Sequence, residues 1–156
     1  MSRLLPASTN TQYAGSPRAA QLLGVLAVLT IVPGCIHSFL PDGGAGVIAG
    51  LELGACREVI VALFAWAGAT QIAFGIVMLL AATRYRSLVP IILVLVLLER
   101  GLHALDAWGG TPSSGHRPPE HYAVLIGLPL VAGALWLSLR EQHTDDGPHA
   151  RRKGAP

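Results

Sequence analysis

The sequence predicts an all-α membrane protein: four transmembrane helices in an antiparallel bundle, with both termini cytoplasmic. Three observations lead there. Four apolar stretches, 19–40, 59–82, 88–108 and 122–139, break up the 156-residue chain. Each is close to the ~20 residues that carry a helix across a ~30 Å hydrocarbon core. Hydrophobic residues make up 52% of the chain and charged residues 13%, where a soluble domain carries about 25% charge. Finally, the basic residues are asymmetric. Arg3, Arg18, Arg84, Arg86, Arg140, Arg151, Arg152 and Lys153 lie before the first span, between the second and third, or after the fourth. The other two connections hold only Arg57 and Arg117, and Arg100 lies inside a span. The positive-inside rule then puts both ends in the cytoplasm.

The chain has the length of one domain. Its net charge of +2 is small and its basic residues are scattered. No nucleic-acid-binding stripe is visible, and the pI of 8.8 mostly restates the loop asymmetry. Arg greatly outnumbers Lys, and Ala, Gly and Val are abundant. This composition suggests a bacterial source, and with it an inner-membrane location.

Residues 1–18 are polar, rich in Ser, Thr and Pro, and lack an apolar period, so a flexible cytoplasmic leader is expected. The first span carries Pro33 and Gly34, which loosen it where neighbours satisfy the freed carbonyl. Pro41-Asp42-Gly43-Gly44 reads as a turn. Residues 45–53 are too short to span and read as an interfacial helix or a loop folded onto the bundle. In the second span Gly68, Gln71 and Gly75, at i, i+3 and i+7, share one face. Small residues there allow close helix approach, and one polar group can bond across the contact. The short turn 83–87 makes spans two and three an antiparallel hairpin. Trp108 and Tyr122 flank the Pro/Gly/Ser-rich loop 109–120 as interfacial anchors. The polar tail 141–156 reads as disordered.

Val32-Pro33-Gly34-Cys35 resembles a bacterial lipobox. Cleavage there would remove the first span. Pro33 departs from the usual residue before the Gly, and the leader is long for a signal peptide, so the span is expected to be retained. Cys35 and Cys56 are the only cysteines. Both map to the outer half, where an oxidising periplasm permits a disulfide. The chain has no Cys-x-x-Cys pair, nucleophile–base constellation, phosphate loop or nucleotide fingerprint.

Polar residues collect in the outer half. On the third span Glu99, His103 and Asp106 follow i, i+4, i+7 along one line. His37 lies about one turn from the outer end of the first span, and Glu99 about 13 Å deep by helical rise. His116, Arg117, Glu120 and His121 stand in the loop above. At a membrane edge, His103, Asp106, His116 and His121 read first as ordinary interfacial residues. Glu99-Arg100 is different. A charge deep in a span costs roughly 2.5–3.5 kcal/mol on insertion scales. Adjacent residues diverge by about 100°, and helical side chains tilt toward the N-terminus, away from the nearer outer surface. Both charges are therefore expected to face the bundle interior or a watery cleft. A structural network with Gln71, Thr30 or Arg57 is the first expectation, and a ligand, proton or metal site the second. Glu99, Arg100, His103, Asp106 and His37 form the candidate outer-half site. The spacing matches no established metal motif, and haem ligation by His37 and His103 rests on depth alone.

The segments HSFLPDGGAGVIAGL (37–51), FAWAGATQIAFGI (64–76), RYRSLVP (84–90), LLERGLHALDAW (97–108) and HRPPEHYAVL (116–125) resemble small bacterial four-helix membrane proteins, loosely of the DoxX-like kind. The resemblance implies topology and carries over no functional residue. The leading expectation is a non-enzymatic accessory or scaffold component that binds a partner or ligand at its outer face. The second is a redox or transport component with a metal, haem or proton site in the outer half. The expected surroundings are the lipid bilayer and a protein partner or homo-oligomer, with no nucleic acid.

Overall fold

A computed structural model describes residues 4–110 and 117–140. Residues 1–3, the tail and residues 111–116 of the Pro/Gly/Ser-rich loop, His116 among them, lie outside the described residues. Four long apolar helices dominate what is described. They are α1 (Pro17–Phe39), α2 (Arg57–Thr83), α3 (Val89–Trp108) and α4 (Pro119–Leu139). The starts of α1 and α4 precede the apolar runs. Pro17 and Pro119 stand in their first turns, where a missing N–H costs nothing and a fixed φ suits the helix. Pro33 and Pro129 lie inside α1 and α4 without ending them. The helix ends 17, 83, 89 and 139 gather at one end of the bundle, the terminal end. The connections 40–56 and 109–118 close the other, the loop end.

The helices pack as α1 on α2 and α3 on α4. This corrects the hairpin expected of spans two and three: the turn joins α2 to α3, but the two helices touch little beyond it. The small-residue face explains the choice. A Cβ added to Gly68 would stand 2.6 Å from the Gly34 carbonyl oxygen and 2.8 Å from His37 Cβ. At Gly75 it would meet Ile31 Cγ1 at 2.5 Å. Backbones this close are available only to glycine, so α2 seats on α1. Gln71 belongs to the same face, its Cβ 3.0 Å from where a Gly34 side chain would start. The bond expected across the contact is not formed by its carbonyl. Gln71 Oε1 and Ser38 Oγ are both buried there without hydrogen-bond partners among the described residues.

The apolar core lies toward the terminal end. Ala19, Ala20, Leu23 and Ala27 of α1 meet Met78, Ala81 and Ala82 of α2, Val89, Ile92, Leu93 and Val96 of α3, and Val131 and Ala134 of α4. Cleavage before Cys35 would strip the α1 side from this core. Span retention is therefore expected, and the intact mass of membrane-extracted protein tests it. In the loop half, α2 buries only Gly68, and α3 beyond Val96 buries only Ala107.

The leader is not the free segment expected. Residues 6–16 are docked on the terminal end. Tyr13 packs against the core, and its hydroxyl donates to the Ser16 carbonyl at 3.1 Å. Burial pushes its phenol pKa up, opposed by the nearby Arg86 charge. Asn10 Nδ2 donates to the Thr83 carbonyl (2.8 Å), and Ser8 Oγ and Thr9 N–H donate to the Arg84 carbonyl (2.9 and 3.1 Å). These are carbonyls at the C-terminus of α2, which the helix itself leaves without donors. Arg84 Nη2 returns a bond to the Pro6 carbonyl at 3.0 Å. Low apolarity misled the sequence reading here, because the segment is held by capping bonds and one tyrosine.

Candidate functional site

Two structured groups build the loop end. The first follows α1. Gly43 and Gly44 take φ of +62° and +77°, values costly for residues with a Cβ. They turn the chain back so that 43–45 and Ala49 are buried against the bundle. Asp42 organises this segment. Its Oδ1 accepts from Gly44 N–H at 2.9 Å, and its Oδ2 from Val47 and Gly46 N–H at 2.9 and 3.1 Å. His37 Nδ1 lies 2.7 Å from the Gly43 carbonyl oxygen. A carbonyl only accepts, so Nδ1 carries the proton. The His37 ring also meets Phe64 edge-on at 5.0 Å. Arg57 Nη2 donates to the Pro41 carbonyl at 3.2 Å, tying the segment to the start of α2. The result is a loop folded onto the bundle, the second of the two forms expected for it. It leaves Phe39 77% and Val47 85% exposed, with Ile48 beside them. The sequence signalled the turn through Pro41-Asp42-Gly43-Gly44. It did not signal that Asp42 accepts three bonds or that Phe64 supports His37.

The bonds from Val47 and Gly44 hold the Asp42 carboxyl below the usual carboxylate range. The folded loop therefore favours the charged form. Its stabilisation is fully present above the unfolded aspartate value of ~3.9 and is lost as pH falls through the lower folded value. Melting temperatures of the wild type and Asp42→Asn in detergent should differ by a constant amount above about pH 5 and converge below it. A difference that persists unchanged into acid would show that the carboxylate does not hold the loop.

The second group joins α3 to α4. Trp108 Nε1–H donates to the His121 carbonyl at 3.1 Å, and the Trp108 and Tyr122 rings meet edge-on at 5.7 Å. The Arg117 guanidinium lies over the Trp108 ring, 4.3 Å from its centre, and also donates to the Ala107 carbonyl. The two expected anchors thus pack edge to face against each other. His103 and His121 present their rings at 85°, with centroids 6.2 Å apart, and His121 Nδ1 is buried without a hydrogen-bond partner among the described residues.

The candidate residues from the sequence do not converge. His37 is engaged by Gly43 and Phe64, and His103 faces His121. Asp106 is exposed. Among the described residues no three His, Cys, Asp or Glu side chains come close enough to hold a metal ion. Cys35 and Cys56 stand as free thiols. The expected charge network is also corrected. Arg100 Nε pairs with Glu99 Oε2 of its own helix at 3.1 Å. The flexible side chains close the angle that separates their Cβ atoms. The proposed partners are engaged elsewhere or apart: Thr30 Oγ1 donates to the Leu26 carbonyl, Arg57 holds Pro41, and Gln71 Oε1 is unbonded. Glu99 is 48% exposed and Arg100 29%, so the pair lies at the surface of the open loop half. No family model, curated protein or solved structure matches the chain.

Proposed function

We propose that this protein is a small multi-pass inner-membrane component of a bacterium, non-enzymatic, with both termini cytoplasmic, whose loop end binds a partner outside the membrane. The carrying observation is the Asp42-centred segment, which fixes exposed Phe39, Val47 and Ile48 on a rigid base. Exposed apolar side chains on a preorganised loop lose little entropy on docking, which favours recognition. The basic asymmetry supports the orientation, and the DoxX-like resemblance supports the topology. A photo-crosslinking residue at position 47 in living cells should give a discrete protein adduct. The same residue at Leu130, exposed on the apolar flank of α4, should not. Equal labelling at both positions would refute a loop-end partner.

A second reading, a redox or transport component, draws on one observation: His121 Nδ1 is buried and unbonded near His103. Metal analysis and an absorbance spectrum of detergent-purified protein test it. A Soret band or stoichiometric metal would favour it over the docking role.

A further inference from the structure

The ion pair on α3 lies where charge is least welcome. Glu99 and Arg100 sit midway along an apolar helix, neither is buried by the other three, and their mutual contact at 3.1 Å is the one ion pair among the described residues. A single Nε–Oε2 contact leaves the remaining guanidinium N–H groups and the second carboxylate oxygen without partners among the described residues. In hydrocarbon those groups have no water to turn to.

The surroundings of Glu99 are patterned. Leu95, Glu99, Leu102 and Asp106 are all exposed and follow i, i+4, i+7, i+11 along α3. That is the stepping of a helix–helix seam, with alternating intervals of four and three. Apolar contacts stand one turn below and one turn above the charge.

We infer that this seam is the interface with a second copy of the same chain, in which the two Glu99–Arg100 pairs meet and exchange bonds. Self-complementarity is the argument. All copies insert in the same orientation, so a two-fold axis along the membrane normal brings identical residues to identical depth. The 3.1 Å contact draws the Arg100 guanidinium round to the Glu99 carboxylate on the seam, so the two carboxylates meet across the axis with a guanidinium beside each, and the pairs can exchange bonds. Leu95 and Leu102 close the seam on either side. A different protein would have to supply both signs at that depth by coincidence. The seam lies along α3, apart from the Phe39–Val47 platform, so dimerisation and loop-end docking are separable.

The test uses the full chain in native membranes, with Cys35→Ser and Cys56→Ser removing the two thiols. Leu102→Cys on the seam should form an oxidised dimer of the 16.3 kDa chain. Leu130→Cys on α4, comparably exposed, should remain monomeric. In the Leu102→Cys chain, Glu99→Arg or Arg100→Glu alone sets like charges against like, and dimer yield should fall at least about tenfold. Co-expressing these two variants under different tags should restore the yield as a mixed dimer, because each then supplies the sign the other lacks. The exchanged chain, Glu99→Arg with Arg100→Glu, should dimerise like the parent and serves as the control for folding. The proposal is overturned if Leu102→Cys gives no more dimer than Leu130→Cys, if the single inversions leave the yield unchanged, or if neither the mixed pair nor the exchanged chain recovers it.

Discussion

Gly68→Ala should be the most damaging single-methyl change on the α1–α2 contact, costing about 3 kcal/mol, the upper range for overpacking a tight contact. The new Cβ would lie 2.6 Å from the Gly34 carbonyl oxygen, a backbone atom that moves only if α1 moves. Gly75→Ala should cost less. Its nearest obstacle at 2.5 Å is Ile31 Cγ1, a side-chain atom that can shift, although the Ala27 carbonyl oxygen at 3.1 Å limits the relief. Gly133→Ala and Gly101→Ala have nothing within 4 Å of the added methyl, and helix propensity favours alanine by up to about 1 kcal/mol. Thermal unfolding in detergent should rank Gly68→Ala below Gly75→Ala, with the other two at or above the wild type. Equal effects at all four positions would mean that close approach of α1 and α2 does not organise the bundle.

Glu99→Leu alone should cost about 3 kcal/mol, because it leaves the Arg100 guanidinium unpaired in an apolar setting. Arg100→Leu should cost less, since an orphaned carboxyl can take up a proton while an orphaned guanidinium cannot shed one. The double change to Leu removes both charges and should return stability near the wild type, as replacement of an ion pair by apolar groups often does. Detergent melting of the two single variants and the double variant measures the coupling. If the two losses simply add, the 3.1 Å contact contributes nothing.

The membrane architecture was legible because it rests on long-range composition. Apolar length fixes the spans, and the glycine spacing at 68 and 75 marked the face on which α2 receives α1. Helix pairing was less legible. A five-residue turn made α2 and α3 look like partners, but closeness at a turn does not decide which faces fit, and the glycine face drew α2 to α1 across a longer connection. The leader was misread for a related reason: hydropathy is blind to polar side chains that cap a helix, and Asn10, Ser8 and Arg84 act through backbone carbonyls. At the candidate site, the line of Glu99, His103 and Asp106 was correctly placed on one helix. Periodicity could not reveal what each would face, because that depends on how far the two hairpins splay. His37 turned to Gly43 and Phe64, and Glu99 to its own neighbour Arg100.

The central claim is that the terminal end is cytoplasmic and the loop end lies outside. Cys56, exposed at the start of α2, offers a native probe for it. In a Cys35→Ala chain, a membrane-impermeant maleimide should label Cys56 in spheroplasts with intact inner membranes. A Ser87→Cys variant that also lacks both native thiols should be labelled only after permeabilisation, because Ser87 lies in the α2–α3 turn at the terminal end. Labelling of Ser87→Cys in intact spheroplasts, with Cys56 protected, would invert the protein in the membrane and remove the basis for a partner docked on its outer face.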